Sequence, residues 1–199
     1  MLTFYHAPNS RSIRTLSLLE ELGLPYDMRY VTIVHGDGSG RRDAGNIHPD
    51  GKVPAIVHDG TLVTESYAIA IYLTDLAPQA NLGAPVGSPE RGPFLAWLVW
   101  AVAEMEPAVW ARLSGGGTDE RGQRAIDDVM RRIETALTAG PYLMGDRFTA
   151  VDVMVAGTLA WARAALPASA AVDAYIARAT DRPASATAWA KDAPVPVTA

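Results

Sequence analysis

The hydrophobic pattern of the sequence changes partway along the chain. Up to about residue 78, short apolar runs alternate with turn residues, whereas beyond residue 93 apolar residues recur at helical spacing. Residues 79–93 (QANLGAPVGSPERGP) are rich in Gly and Pro and carry no periodicity, which is typical of a linker. The sequence therefore predicts two domains, residues 1–78 and residues 94–199, joined by residues 79–93.

The first domain is predicted to have the element order βαβαββα. Alternating apolar residues indicate strands, apolar residues at helical spacing indicate helices, and Asp59-Gly60 between two apolar runs is a strong β-hairpin signal. The predicted elements are strands over residues 2–5 and 26–34, a short helix near 42–47, a hairpin on either side of Asp59-Gly60, and helices over 10–22 and 66–77. This order indicates an α+β domain.

The second domain is predicted to be entirely helical. Residues 94–113 are apolar around most of the helix circumference, which indicates a helix buried on several sides. A more amphipathic helix over 120–137, a third over about 149–164 and shorter Ala-rich helices up to residue 190 complete the domain. The TAVD run at the start of the third helix matches a capping box, so a structural role is predicted for Asp152.

Composition and charge exclude several classes of function. The 199 residues include no Cys, which excludes disulfides, thiolate metal sites and a cysteine nucleophile. The net charge is -5 and the 17 Lys and Arg residues are scattered, which argues against a nucleic-acid partner. The four His residues lack metal-ligand spacing, so no metal is expected and loop or strand-surface positions are predicted for them. Without a signal peptide or an apolar run of about 18 residues, the chain is predicted to be cytoplasmic, with no membrane contact.

Val53-Pro54 opens an apolar run that is predicted to be a strand. Proline cannot donate to a strand ladder and is found at edges or first positions, so an exposed edge is predicted there. If the peptide bond is cis, the backbone N–H and C=O of Val53 could pair with an extended peptide. An ordinary trans proline at a strand start is the alternative.

Glu65-Ser66 follows the predicted hairpin at the start of a helix. In one interpretation Ser66 is the N-cap and Glu65 is a first-turn acid that the helix dipole favours. In the other, the free N–H groups and the Ser66 hydroxyl hold a ligand carboxylate, and Glu65 pairs with a ligand ammonium. Both interpretations fit the sequence.

The loop HAPNSRS joins the first strand to the first helix and carries Ser10 and Ser12. Either serine could cap the helix. Alternatively, a hydroxyl at this helix N-terminus could donate to a sulfur, where the dipole and the free amides also favour a thiolate. An unperturbed thiol has a pKa of about 8.5 and is only a few per cent ionised at neutral pH, so each unit of depression raises the thiolate fraction nearly tenfold.

Three segments together resemble the cytosolic glutathione transferase family, and the resemblance spans both domains. The segments are SRSIRTLSLLEELGLPY, NIHPDGKVPAIVHDGTLVTESYAIAIYL and YLMGDRFTAVDVMVAGTLAWA. The resemblance implies a thioredoxin-like first domain and an all-helical second one, with a cis Val53-Pro54 bond whose valine pairs with the cysteinyl backbone of glutathione. It also implies that Glu65 and Ser66 hold the γ-glutamyl group and that Lys52 approaches the glycine carboxylate.

Members of this family activate glutathione with a Tyr, Ser or Cys near the first strand, and this chain has no Cys. The spacing of Ser10 and Arg14 resembles that of serine-type members, so Ser10 is the predicted catalytic hydroxyl. Ser12 and Tyr5 are the alternatives. Asn9 is a further candidate because an amide N–H could also donate to sulfur.

The resemblance implies a transferase that adds the sulfur of reduced glutathione to small hydrophobic electrophiles, acting as a homodimer. An electrophile pocket is expected between the domains, with Trp100, Met105 and Trp110 as lining candidates, although side chains at this spacing also fit a helical core. Two alternatives stay open. One is a glutathione-dependent isomerase, dehalogenase or peroxidase on the same fold, and the other is a non-catalytic binding module that resembles glutathione transferases.

Overall fold

The computed structural model describes residues 1–192, which form two compact units. The first unit comprises residues 1–80 together with the chain from residue 183, and the second comprises residues 81–182. Residues 193–199, the end of the predicted second domain, lie outside the described residues. The first unit contains strands and helices and the second is helical, which confirms the predicted fold class.

Strands occur only in the first half of the described residues 1–192, whereas helices occur throughout. The strands are β1 (Leu2–His6), β2 (Asp27–Tyr30), β3 (Ala55–His58) and β4 (Thr61–Thr64). The helices are α1 (Ser12–Leu22), α2 (Ser66–Leu76), α3 (Arg91–Trp100), α4 (Glu106–Leu113), α5 (Glu120–Leu137), α6 (Ala150–Ala162), α7 (Ala170–Thr180) and α8 (Pro183–Lys191). Single 3-10 turns follow α2 at Pro78–Ala80 and α6 at Arg163–Ala165, and a π-helical turn, Ala101–Met105, joins α3 to α4.

The four strands form one mixed sheet in the order β2-β1-β3-β4. β1 is parallel to β2 and antiparallel to β3, and β3 is antiparallel to β4. His58 pairs with Thr61 across the turn at Asp59-Gly60, which confirms the predicted hairpin. Gly60 has a φ of 83°, a conformation that glycine adopts without steric cost. β1 alternates buried and half-buried side chains, with Phe4 and His6 fully buried.

α8 packs along α1 in the first unit, which differs from its predicted place in the all-helical domain. Ala188 is fully buried, and the Lys191 ammonium donates to Glu20 Oε1 at 2.6 Å and to the Tyr26 hydroxyl at 3.2 Å. The pKa of Tyr26 is raised to about 12, first by burial and then by its hydrogen bond to Glu20. A short Ala-rich helix carries no pattern that selects one core over another, so its partner could not be predicted from the sequence.

The predicted helix near residues 42–47 is wrong, because the connection between β2 and β3 is irregular. Backbone amides of this connection donate to a side chain instead of to helical carbonyls. The Asp43 carboxylate accepts from Thr32 N at 3.1 Å and from Gly45 N at 2.8 Å. Aspartate side chains compete in this way with helical hydrogen bonds. The predicted strand over 26–34 is correspondingly shorter and ends at Tyr30.

The predicted single helix over 94–113 is interrupted by the π-helical turn, which precedes Pro107 near the start of α4. Proline has no amide hydrogen and its ring clashes with the carbonyl four residues earlier, so a wider turn accommodates it. Among residues 1–192, the Arg91–Leu113 stretch is the one helix that passes a length-and-composition test for spanning a membrane, with 39% of its most apolar window buried. The core helix of a globular protein passes the same test.

α6 begins with the predicted capping box, which the structure confirms. Thr149 Oγ1 accepts from Val151 N at 3.2 Å, and Asp152 Oδ2 accepts from Thr149 N at 2.8 Å. Asp152 is fully buried and lies among donors from other parts of the second unit.

Candidate functional site

The sheet register brings the three sequence motifs to one end of the sheet. Tyr5 at the end of β1 pairs with Ala55 at the start of β3, and Ala55 pairs in turn with Thr64 at the end of β4. The loop with Ser10 follows β1, Val53-Pro54 directly precedes β3, and Glu65-Ser66 directly follows β4. The structure therefore gathers segments that are far apart in the sequence.

The Val53-Pro54 bond is cis, as the family resemblance implies. Val53 is 9% exposed and forms a small apolar cluster with Ala7 and Val31, against which Tyr5 packs. The predicted exposed edge is wrong, because β3 lies between β1 and β4. Pro54 is tolerated since it lies just before Ala55, the first paired residue, and so removes no hydrogen bond from the ladder.

Glu65 and Ser66 start α2 in an unusual way. Glu65 occupies the N-cap position with φ 68° and ψ 119°, so the alternative interpretation in which Ser66 is the N-cap is wrong. The Glu65 side chain makes no capping hydrogen bond. A non-glycine residue at positive φ is strained by about 1–3 kcal/mol, and such residues cluster at ligand clamps. The strained Glu65 is exposed at the start of α2.

The two candidate serines form a compact hydrogen-bonded pair. Ser10 Oγ donates to Ala7 O at 2.6 Å and lies 2.7 Å from Ser12 Oγ. It also accepts from Ser12 N at 3.2 Å, so Ser10 satisfies one amide at the helix start, although the N-cap position belongs to Arg11. Ser12 is fully buried, whereas Ser10 is half-buried.

His6 and Asp192 continue this pair into the interior of the first unit. Ser12 Oγ lies 2.8 Å from His6 Nδ1, and His6 Nε2 lies 3.1 Å from Asp192 Oδ1. The second contact is close but too oblique for a standard hydrogen bond, and neither atom has another partner within residues 1–192. The other carboxylate oxygen, Asp192 Oδ2, accepts from Asn9 N at 3.1 Å. The predicted surface position of His6 is therefore wrong, because its side chain is 0% exposed.

The protonation of His6 fixes the direction of these hydrogen bonds. Burial lowers the pKa of His6 below its ordinary value of 6.5, and the charge of Asp192 opposes that shift only in part. A carboxylate can only accept, so the neutral imidazole carries its hydrogen on Nε2, and Nδ1 becomes an acceptor. The Ser12 hydroxyl consequently donates to His6, and its oxygen acts as an acceptor. The single proton of the Ser10 hydroxyl can then be donated to Ala7 O or to Ser12 Oγ.

We expect the free energy of unfolding to fall as the pH decreases through about 6.5, the ordinary histidine pKa. The pKa of folded His6 lies below that value, so the unfolded chain binds more protons in this range and acid favours unfolding. Above about pH 7.5 both states are neutral at this residue and the contribution vanishes. Urea unfolding of the wild type and of His6→Asn at several pH values measures the contribution of His6. If the free energy of unfolding changed with pH equally in the two proteins, the prediction would be contradicted.

The other predicted glutathione-site residues lie in the same unit. Asn9 is exposed at the loop tip with a φ of 54°. Lys52 is exposed, and its ammonium lies 3.6 Å from Asp50 Oδ2 in a solvent-facing ion pair. Tyr5 is half-buried on β1. Their contacts with a ligand stay predictions.

The three predicted pocket residues of the second unit differ in exposure. Trp100 is 5% exposed, and the Arg132 guanidinium lies 4.5 Å from its ring centroid. Met105 is fully buried in the helical core. Trp110 is 46% exposed and stacks on Trp161 with ring centroids 5.9 Å apart. Of the three, Trp110 has the most surface to offer a ligand.

Metal ligands do not come together in the described part of the chain: no group of three or more His, Asp or Glu side chains there has suitable placement. The expectation that no metal is needed stays a prediction.

The chain is similar to known proteins over nearly its whole length. Two family descriptions match it, "Glutathione S-transferase, N-terminal domain" over residues 10–76 and "Glutathione S-transferase, C-terminal domain" over residues 118–191. Glutathione S-transferase GstA of Escherichia coli O157:H7 is 28% identical over 187 residues, which cover 90% of this chain and 92% of the relative.

Solved structures share the fold. A glutathione transferase from Methylococcus capsulatus str. Bath has a TM-score of 0.77 and 29% identity, covering 96% of this chain and 98% of that one. A sphingomonad glutathione S-transferase complexed with glutathione has a TM-score of 0.79 and 23% identity over 96% and 98% of the two chains, a likeness that shows the fold alone.

These similarities confirm the predicted pairing of a thioredoxin-like N-terminal domain with a helical C-terminal domain. The names of the relatives support glutathione transferase activity in general. With both family descriptions matched in order along one chain, this protein belongs to the cytosolic glutathione S-transferase family.

Proposed function

We propose that this protein binds reduced glutathione at the sheet end that carries Ser10, Val53 and Glu65, and adds its sulfur to small hydrophobic electrophiles. The observation that carries the proposal is the direction of the Ser10 hydroxyl. Its close oxygen neighbours, Ala7 O and Ser12 Oγ, both act as acceptors, so Ser10 must donate. A donor is the group that a thiolate requires.

The Ser10 hydroxyl turns from Ala7 O toward the sulfur when glutathione is bound. Its oxygen keeps the hydrogen bond from Ser12 N, which makes it a better donor. A hydrogen bond to the charged form lowers the pKa of the bound thiol, and the α1 N-terminus acts in the same direction. More of the bound glutathione is then nucleophilic at neutral pH.

Ser10 is the preferred donor for reasons that the contacts supply. Ser12 is fully buried and its proton is committed to His6, so it has none for a ligand. The backbone amide of Asn9 bonds to Asp192 at the exposed loop tip, and the side-chain amide of Asn9 stays the alternative donor. Tyr5 packs against the apolar cluster of Ala7, Val31 and Val53.

The remaining predicted contacts position the peptide. Val53 pairs through its backbone with the cysteinyl residue, while Glu65 binds the γ-glutamyl ammonium and Ser66 with the α2 amides binds its carboxylate. The exposed Lys52 approaches the glycine carboxylate. Trp100, Met105 and Trp110 remain the candidates for the electrophile pocket.

The same glutathione site could serve an isomerase, dehalogenase or peroxidase, or a binding module without turnover. We favour conjugation because a donor hydroxyl is present at Ser10 and the strained Glu65 stands at the start of α2. A homodimer in the cytoplasm, with no nucleic acid, metal or membrane involved, completes the proposal.

Retention on immobilised glutathione followed by a conjugation assay with a generic aryl halide tests this function. We expect elution by free glutathione and turnover above the uncatalysed rate. Retention without turnover on any electrophile would favour the binding module. A lack of retention would refute the proposal.

Glu65→Gln is expected to weaken glutathione binding by about 10- to 150-fold, since a hydrogen bond to a charged group contributes about 1.5–3 kcal/mol. The KM for glutathione should rise while kcat changes little, because the lost contact is the same in the ground and transition states. Steady-state kinetics at varied glutathione measure both. Glu120→Gln on α5 is the matched control, an exposed Glu that pairs with Arg124 of its own helix; an equal KM for the two variants would contradict the assignment.

A further inference from the structure

Four side chains of the first unit form one continuous chain of polar contacts that ends at Ser10. Ser10 Oγ lies 2.7 Å from Ser12 Oγ, Ser12 Oγ lies 2.8 Å from His6 Nδ1, and His6 Nε2 lies 3.1 Å from Asp192 Oδ1. Ser10, at the outer end of this chain of contacts, is half-buried, whereas Ser12 and His6 are fully buried and Asp192 is 5% exposed. A buried polar chain of this kind is costly unless each member is satisfied, so its presence needs an explanation.

We propose that Ser10, Ser12 and His6, with Asp192 as the counter-ion, form a relay that moves the thiol proton of bound glutathione into the protein. The inference rests on the proposed function and adds the destination of the proton. The order acid, imidazole and hydroxyl matches the logic of a Ser-His-Asp triad, with one more hydroxyl inserted between the imidazole and the ligand.

The proton transfer balances along the chain. The S–H bond breaks, its electron pair stays on sulfur, and its proton binds Ser10 Oγ. The previous Ser10 proton moves to Ser12 Oγ, and the previous Ser12 proton moves to His6 Nδ1. Both hydroxyls end neutral and donate outward, sulfur is a thiolate, and His6 is an imidazolium between Ser12 and the Asp192 carboxylate.

The starting state of His6 suits a proton acceptor. Burial keeps the free imidazole neutral at pH 7, with Nδ1 free of hydrogen and facing Ser12. An ordinary thiol has a pKa about two units above that of an ordinary imidazole, and the burial of His6 widens this difference although Asp192 opposes the shift in part. The transfer therefore depends on the Ser10 hydrogen bond and the α1 N-terminus, which lower the pKa of the bound thiol, and on the Asp192 carboxylate beside the imidazolium. Asp192 thus supplies the charge that the imidazolium needs once the thiolate forms.

Few other charges act on the imidazole. The ionisable groups that face it within residues 1–192 are Asp192, which follows α8, and Tyr30 on β2, whose ring centroid lies 5.7 Å away. Burial raises the pKa of Tyr30, whose hydroxyl donates to Lys191 O, so Tyr30 stays neutral. α1 contributes the uncharged Ser12.

Asp192 also links the relay to the loop that carries Ser10. Its second carboxylate oxygen accepts from Asn9 N, one residue before Ser10. α8 packs on α1 and ends next to Asp192, so the last helix holds the acid in place. Ser12, His6 and Asp192 act through Ser10 and are positioning residues, while Ser10 is the group that touches the sulfur.

The test compares proton release with thiolate formation when the full-length protein binds glutathione. Ultraviolet absorbance of the thiolate counts the sulfur anions, and a pH indicator in weak buffer at about pH 7.5 counts the released protons. We expect the wild type to release close to zero protons per thiolate, because His6 retains the proton. Ser12→Ala and His6→Asn break the relay, so each should release close to one proton per thiolate and form about tenfold less thiolate, a shift of one pKa unit.

His58→Asn is the matched control, because His58 also bonds a hydroxyl through Nδ1, that of Tyr72 at 2.8 Å, but lies outside the relay. It should behave as the wild type. Ser12→Ala removes a single oxygen and keeps the imidazole pocket, so the test stands even if His6→Asn folds poorly. Close to one proton per thiolate in the wild type would overturn the relay and leave the proposed function intact. Absence of thiolate from the wild type would overturn both.

Discussion

Ser10→Ala is expected to lower kcat/KM for conjugation by about 10- to 150-fold near pH 6.5, which corresponds to the loss of one hydrogen bond to a charged group worth about 1.5–3 kcal/mol. The variant removes the donor that lies 2.7 Å from Ser12 and follows β1 at the end of the sheet where the motifs meet. The apparent thiol pKa should rise by about one to two units. The rate deficit should therefore shrink as the pH increases and the thiolate forms without assistance.

The pH profile of kcat/KM with an aryl halide measures both effects. Ser39→Ala is the matched control, since Ser39 also donates through its hydroxyl, to Asp37, in an exposed loop of the same unit. Ser10→Thr keeps a hydroxyl and should retain most of the activity. If Ser10→Ala left both rate and pH profile unchanged, the donor would be another group, and the same profiles for Ser12→Ala and Tyr5→Phe would identify it.

The strands and their turn could be predicted because their signals are local. Asp59-Gly60 encodes a hairpin within a few residues, and the structure forms it. The wrong predictions arose where a distant or side-chain partner decided the outcome. The Asp43 carboxylate bonds the backbone in place of the helix near 42–47, and β3 became central only because β1 and β4 both pair with it.

The two inner residues of the candidate site, His6 and Asp192, were not predicted from the sequence, for two different reasons. His6 lies on the same side of β1 as the buried Phe4, so the strand alternation alone indicates an inward-facing histidine that needs a partner. Asp192 has no such signal, because it lies near the opposite end of the chain and reaches His6 only when α8 packs on α1. Sequence reasoning could therefore have found the imidazole but not its carboxylate.

Asp152 organises the hydrogen bonds of the second unit without any part in the proposed chemistry. Its carboxylate accepts from Thr149 N at 2.8 Å, from Leu143 N at 3.0 Å and from the Tyr175 hydroxyl at 3.1 Å. Burial raises the pKa of Asp152 although these hydrogen bonds act to lower it, which indicates that the carboxylate is well shielded from water. Removal of the carboxylate would leave buried donors from three different segments without an acceptor.

Asp152→Ala is expected to lower the free energy of unfolding by about 3–5 kcal/mol, because each buried donor left unpaired costs about 1–3 kcal/mol. Asp119→Ala is the matched control: Asp119 caps α5 by accepting from Gly122 N at 2.8 Å, in an exposed position, and its loss should cost only about 1 kcal/mol. Urea unfolding followed by tryptophan fluorescence suits the test, since four of the five Trp residues lie within 81–182. If the two variants lost equal free energy of unfolding, the Asp152 network would add nothing beyond an ordinary helix cap. The buried contacts instead predict a several-fold larger loss for Asp152→Ala, with the conjugation rate per folded molecule unchanged.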